Sequence, residues 1–202
     1  MRIVIFTLIL VLAGTLSAHA AEDAFWKWDG DGASKVMLAD DKCECYFTLS
    51  FPEKVIPQPD RHFVLGQAPS QIISIHQNIF LKANSGKLSA EEILRYQYGD
   101  EISYLKSRIG ADKLRPTVTK WNADTKVLQW QAEIHEGNTV KTIVAASAFR
   151  EPCVIYLTSF VENKNEVVSI SNSLVKAIAT LESHRPSSQE EAHKLLSEYL
   201  GR

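Results

Sequence analysis

Three cysteines, Cys43, Cys45 and Cys153, carry the most reactive side chains in this sequence. Cys43 and Cys45 open a stretch, residues 43–51, in which apolar and polar residues alternate, which predicts a strand with both thiols on its buried side. Cys153 opens a second strand-like run, residues 153–161. Three pairings stay open: a structural disulfide from Cys153 to Cys43 or Cys45, a bridge to another chain, or an easily reduced Cys-x-Cys redox site.

Other residues with catalytic or metal-binding chemistry do not form a recognisable motif. Glu133 and His135 share one face of a predicted strand, but two residues do not specify a metal. Residues 29–32, Asp-Gly-Asp-Gly, resemble the start of a calcium loop, yet Ala33 and Ser34 stand where an EF-hand needs a ligand and its turning glycine. The sequence contains no nucleophile elbow, phosphate loop or zinc motif. We therefore expect no catalytic residue, metal or cofactor.

Two apolar features are candidates for binding. Trp26 and Trp28 lie near the predicted mature terminus, where burial is least assured, and tryptophan is enriched in binding hot spots. They either fold back onto the core or contact a partner. An amphipathic segment after Pro186 either packs within the domain or docks on a partner or a second copy.

Three helices are predicted around these residues. Ser89 and Glu92 have the spacing of a capping box, and apolar residues then recur every three or four positions over residues 90–109. The same periodicity predicts helices over residues 168–182 and 188–200.

Period-two patterning predicts that the remaining elements form an antiparallel sheet. Strands over residues 43–51 and 71–77 precede the first helix, and four strands joined by short turns follow it as a meander between residues 116 and 161. The predicted fold class is α+β, with six or seven antiparallel strands and helices packed on them. The expected core residues are Leu128, Trp130, Ile134, Ile155 and Leu157 of the sheet, facing Leu94, Ile102, Leu105, Leu174 and Ile178 of the helices.

The N-terminal sequence predicts that the protein is exported. Residues 1–20 combine an early arginine, an apolar run and an Ala-x-Ala exit, as in a secretory signal peptide. A polar lead-in, residues 21–42, the α+β domain, residues 43–183, and a C-terminal helical appendage, residues 184–202, are expected to follow. The formal charge of −2 and the absence of a basic cluster disfavour nucleic-acid binding.

The order of elements resembles the PsbP-like fold, which includes the DcrB-like periplasmic proteins. The strand that ends in Phe51-Pro52, the isoleucine-rich strand, the long helix, the meander and the closing helix carry this resemblance over residues 43–182. It implies an α/β/α sandwich and a non-enzymatic accessory protein.

From these features we expect a periplasmic or secreted, cofactor-free protein that binds another protein or an envelope component. A spare cysteine or the C-terminal helix could join two copies. The alternatives are a thiol-redox enzyme that uses Cys43 and Cys45, or a hydrolase without a recognisable motif.

Overall fold

A computed structural model describes most of the chain after the predicted signal peptide. The described residues are 24–28, 32–40, 45–59, 61–76 and 86–200. The predicted signal peptide, most of the Asp-Gly-Asp-Gly stretch and Cys43 lie outside them.

The described residues form eleven strands, three α-helices and one 3-10 turn. The strands are β1 (Ala24–Trp28), β2 (Ser34–Asp40), β3 (Cys45–Phe51), β4 (Ile56–Pro57), β5 (His62–Leu65), β6 (Ala68–His76), β7 (Leu114–Asn122), β8 (Val127–Glu136), β9 (Thr139–Arg150), β10 (Cys153–Val161) and β11 (Glu182–His184). The helices are α1 (Ala90–Ile109), α2 (Val167–Ala179) and α3 (Gln189–Leu200), and the 3-10 turn, Lys164–Glu166, precedes α2.

The strands form two antiparallel sheets. The larger has seven strands in the order β4-β5-β6-β10-β9-β8-β7. Strands β7 to β10 are adjacent in chain order, which confirms the meander, and the α+β fold class with a seven-stranded antiparallel sheet is confirmed as well. The smaller sheet, in the order β1-β2-β3-β11, was not predicted.

Both faces of the larger sheet are covered. In β9, Ile143 and Ala145 belong to the core beneath α1, whereas Val144 and Ala146 belong to a second core beneath α2. The inner face of the smaller sheet joins this second core through Phe47 and its neighbours. The alternation of β9 thus supplies two apolar faces from one strand, as a central strand with both faces covered requires.

The helices match the predictions closely. Ser89 caps α1 with the predicted capping box: Ser89 Oγ accepts from the Glu92 amide, and the Glu92 carboxylate accepts from the Ser89 amide at 2.7 Å. The predicted core residues are buried, except that Leu105 is only partly buried. The second helix ends earlier than predicted, because Thr180 Oγ1 donates to the Ala177 carbonyl and accepts from the Ser50 amide at 2.8 Å, and β11 then begins.

Two strands were missed in the region predicted to be a polar lead-in. β2 pairs with β3 over its whole length, and Val36, Met37 and Leu38 are all fully buried. Three consecutive apolar residues do not show the alternation of a strand that is exposed on one face, so the pattern was not recognised. β1 completes the edge of the sheet by pairing with β2.

Candidate functional site

The C-terminal helix covers the outer face of the smaller sheet and leaves a cavity of about 360 Å³ between them. We call this cavity the α3 groove. It is lined by Lys35, Met37, Thr48, Leu49, Ser50, Thr180, Glu182, His184, Leu195, Glu198 and Tyr199.

The pleat of β2 and β3 determines which side chains reach the groove. In β3, Phe47 and Phe51 point to the core, so Thr48 and Ser50 face outward. Met37 faces outward from β2, yet it is completely buried beneath α3. The groove floor therefore combines a thioether with hydroxyl groups.

Helix α3 begins at a well-defined cap. Ser188 Oγ accepts from the Glu191 amide at 3.2 Å, and the Glu191 carboxylate accepts from the Ser187 amide and hydroxyl at 2.6 and 2.7 Å. The hydrogen bond from the Ser187 amide lowers the pKa of Glu191 most, and that from the Ser187 hydroxyl adds to it. The start of α3 is thus held locally, independently of its contact with the sheet.

The contact of α3 with the rest of the domain is shallow. The apolar stripe of α3 is Leu195, Leu196 and Tyr199, and each of these residues is only partly buried. By comparison, α2 buries Ile170, Leu174, Ala177 and Ile178. Because hydrophobic stabilisation scales with buried apolar area, α3 is held less firmly than α2.

One hydrogen-bonded pair in the groove has the spacing of a nucleophile and a base. Thr48 Oγ1 lies 2.9 Å from His184 Nε2. Glu182 Oε2 approaches the same ring nitrogen at 3.9 Å, rather than the opposite nitrogen that an orienting carboxylate contacts in a catalytic triad. The pair is better suited to joining β11 to β3 and to hydrogen-bonding a ligand than to activating Thr48.

The charged groups of the groove have both signs. Lys35 of β2 supplies a positive charge, and Glu182 of β11 and Glu198 of α3 supply negative charges. With Leu195 and Tyr199 in the same wall, the groove is chemically suited to an amphipathic chain segment with polar and apolar side chains.

The cysteines require a correction. Cys153 is a completely buried thiol whose Sγ lies 4.0 Å from Asp40 Oδ2. Cys45 is buried as well, and Cys153 keeps its thiol, so the expected structural disulfide from Cys153 to Cys43 or Cys45 is wrong. The physical reason is the packing of β10 against β2, which directs Cys153 Sγ toward a carboxylate that also accepts from Ser74 Oγ.

The Glu133–His135 pair does not belong to the described lining of the α3 groove. Trp26 and Trp28 belong to β1, opposite Val36 and Ser34 in the register, and their role in binding stays a prediction. His135 Nε2 lies 3.0 Å from Glu133 Oε2. No group of three metal-ligating side chains occurs in the described part of the chain.

Sequence reasoning found α3 but not the groove. The only signal was that Thr48 and Ser50 fall on the polar face of β3. β11 was hidden because three residues are too short for a recognisable pattern, and its pairing with β3 brings His184 to Thr48 across a separation of 136 residues.

Comparisons with known proteins show a weak likeness in fold. The structure is similar to the solution structure of cyanobacterial PsbP (CyanoP) from Synechocystis sp. PCC 6803, over 85% of this chain and 99% of that chain, with a TM-score of 0.43 and 9% sequence identity. This agrees with the weak PsbP-like resemblance in the sequence; we take no function from it. No family model and no curated protein match the chain significantly. In the described residues, no helix has the length and apolar character to cross a membrane.

Proposed function

We propose that this chain is an exported, cofactor-free accessory protein that binds another protein, with α3 and the α3 groove as its binding surface. The observation that carries the proposal is the limited contact of α3 with the sheet. Its apolar stripe is only partly buried above a cavity of about 360 Å³. Export rests on the signal-peptide pattern of residues 1–20.

The chemistry of the groove supports a protein partner. An amphipathic helix or strand offers apolar side chains to Leu195 and Tyr199 and polar groups to Lys35, Glu182 and His184. Because α3 itself occupies one wall, a partner either extends into the remaining space or displaces α3 from the sheet. Both routes follow the known mode in which an amphipathic segment lies in a groove.

The redox alternative has less support from the structure. A reactive cysteine needs its thiolate, which neighbouring cations and partial exposure favour. That alternative uses Cys43 and Cys45, and Cys45 is instead buried in the core, with 3% of its surface exposed. The proposed binding role uses neither cysteine.

The test is affinity capture with the mature protein, residues 21–202, from an envelope extract of its source after mild crosslinking. We expect near-stoichiometric recovery of one protein by the wild type. Leu195→Asp should abolish recovery, because it places a charge in the apolar wall of the groove. A chain that ends at Arg185 should lose the partner as well.

The matched control is Ser197→Asp, which adds the same charge on an exposed position of α3. It should recover the partner as the wild type does. Equal recovery by wild type and Leu195→Asp would place the surface elsewhere, and recovery of no protein by the folded wild type would contradict the proposal. N-terminal sequencing of the exported protein should begin at Ala21.

A further inference from the structure

A second cavity lies at the larger sheet, at the end of β10. Its volume is about 590 Å³. We call it the β10-end cleft, and its lining comprises Gln67, Ala68, Pro69, Lys141, Phe160, Val161, Glu162, Asn163 and Glu166. None of these residues lines the α3 groove, so the cleft is a separate site.

An exposed aromatic ring forms one wall of the cleft. Phe160 is 43% exposed, whereas Val161 beside it and Ala68 on the adjacent strand β6 are buried. An exposed phenylalanine at the end of a central strand loses part of the hydrophobic stabilisation that burial would supply. Its face is also a surface on which a guanidinium or ammonium group binds favourably.

The charges around Phe160 favour a cation. Lys141 Nζ lies 3.4 Å from Glu162 Oε1 and 4.0 Å from Glu136 Oε2, so its charge is already shared between two carboxylates. Glu166 Oε1 accepts from Asn163 Nδ2 at 3.0 Å, and no basic side chain of the described residues forms an ion pair with Glu166. Lys164, in the same turn, does not line the cleft.

The Glu166 carboxylate is positioned by the local backbone. Asn163 caps the 3-10 turn by accepting from the Asn165 amide at 3.1 Å, and the Glu166 amide donates to the Asn163 carbonyl at 2.9 Å. These contacts fix Asn163, and its Nδ2 in turn holds the Glu166 carboxylate at the mouth of the cleft. Preorganisation of this kind reduces the entropic cost of binding a charged group.

We infer that the β10-end cleft binds an arginine or lysine side chain of a partner protein, with the cation between the Phe160 ring and the Glu166 carboxylate. The inference goes beyond the proposed function because it concerns a different surface and a defined partner chemistry. Its charge complementarity is local, since the whole chain carries a formal charge of only −2.

The experiment compares two peptides that differ only in charge. The probes are acetylated Gly-Arg-Gly-Arg-Gly amide and its counterpart in which citrulline replaces arginine, each titrated into the 15N-labelled mature protein. We expect the arginine peptide to shift the backbone amide signals of Phe160, Glu162 and Glu166, and the citrulline peptide to bind more weakly.

Variants then assign the interaction. Glu166→Gln keeps an acceptor for Asn163 but removes the charge, and should weaken binding about threefold, within the range for one exposed ion pair. Phe160→Leu should weaken it as well. Glu190→Gln, which removes a charge from the exposed start of α3, should not change it.

Equal binding of the two peptides, shifts confined to another surface, or an unchanged affinity in Glu166→Gln would each overturn the inference. Absence of binding by the arginine peptide would overturn it too. Leu195→Asp should retain arginine-peptide binding while losing the partner of the α3 groove. The two proposals can therefore fail separately.

Discussion

Cys153 Sγ lies 4.0 Å from Asp40 Oδ2 in the core between β10 and β2, where a disulfide was expected from the sequence. Cys153 is not exposed to solvent, and Asp40 is only 8% exposed. A buried carboxylate requires hydrogen-bond donors, and Ser74 Oγ and the thiol both face it. This cysteine therefore acts as a small polar core residue.

The state of Cys153 can be checked by alkylation without a reducing agent. Iodoacetamide should leave Cys153 unmodified in the native mature protein, because the thiol is completely buried. In denaturant, mass spectrometry should find Cys153 alkylated, because unfolding exposes its thiol to the reagent. A peptide in which Cys153 is bridged to Cys43 or Cys45 would contradict the structure.

Trp130 should contribute strongly to stability. It is completely buried, and its ring centroid lies 5.7 Å from that of Tyr98 on α1. Trp130→Ala should lower the free energy of unfolding by about 3–5 kcal/mol, the range for large buried aromatics. Urea titration at neutral pH measures the loss. Thr119→Ala, at the exposed position opposite Trp130 on β7, is the control and should change stability by less than about 0.5 kcal/mol.

Glu101 should make the stability of the protein depend on pH. Burial against the sheet raises the pKa of Glu101 above its usual value of 4.5. The folded state then binds a proton more readily than the unfolded state, so this carboxyl lowers stability as the pH rises from 4.5 through the folded pKa. Glu101→Gln should stabilise the protein at pH 7 and have a smaller effect below pH 4.5.

Asp100→Asn is the matched control for this titration because Asp100 is the exposed neighbour of Glu101 on the same helix. Thermal unfolding of both variants at pH 7 and pH 4 provides the comparison. A stabilisation of Glu101→Gln that is equal at the two pH values would show that the ionised carboxylate is not the cause.

Met37 provides a direct probe of the contact between α3 and the smaller sheet. It is the only methionine of the sequence besides Met1, and it is completely buried in the floor of the α3 groove. Ending the chain at Arg185, or introducing Leu195→Asp, should expose its sulfur and speed oxidation by hydrogen peroxide. Mass spectrometry of the Met37 peptide over time measures the rate.

In the same experiment, Ser197→Asp should oxidise at the wild-type rate, because its side chain lies on the exposed side of α3. If Met37 remains protected in the shortened chain, α3 does not provide its cover, and the α3 groove would need another wall.

The sequence by itself determined the elements whose signal is local. The helix over residues 90–109 was predicted at its observed bounds because Ser89 and Glu92 form a capping box and because its apolar stripe repeats over about four turns. The meander between β7 and β10 was predictable because short turns require antiparallel neighbours.

Only the tertiary structure decided how distant segments combine. β11 is three residues long, and it becomes a strand because β3 supplies its pairing partners. Met37 interrupts the alternation of β2 because its outward-facing side chain is buried in the floor of the α3 groove. The contact of Cys153 with Asp40 spans 113 residues of chain. Pairings of this kind depend on packing between elements, which local periodicity does not encode.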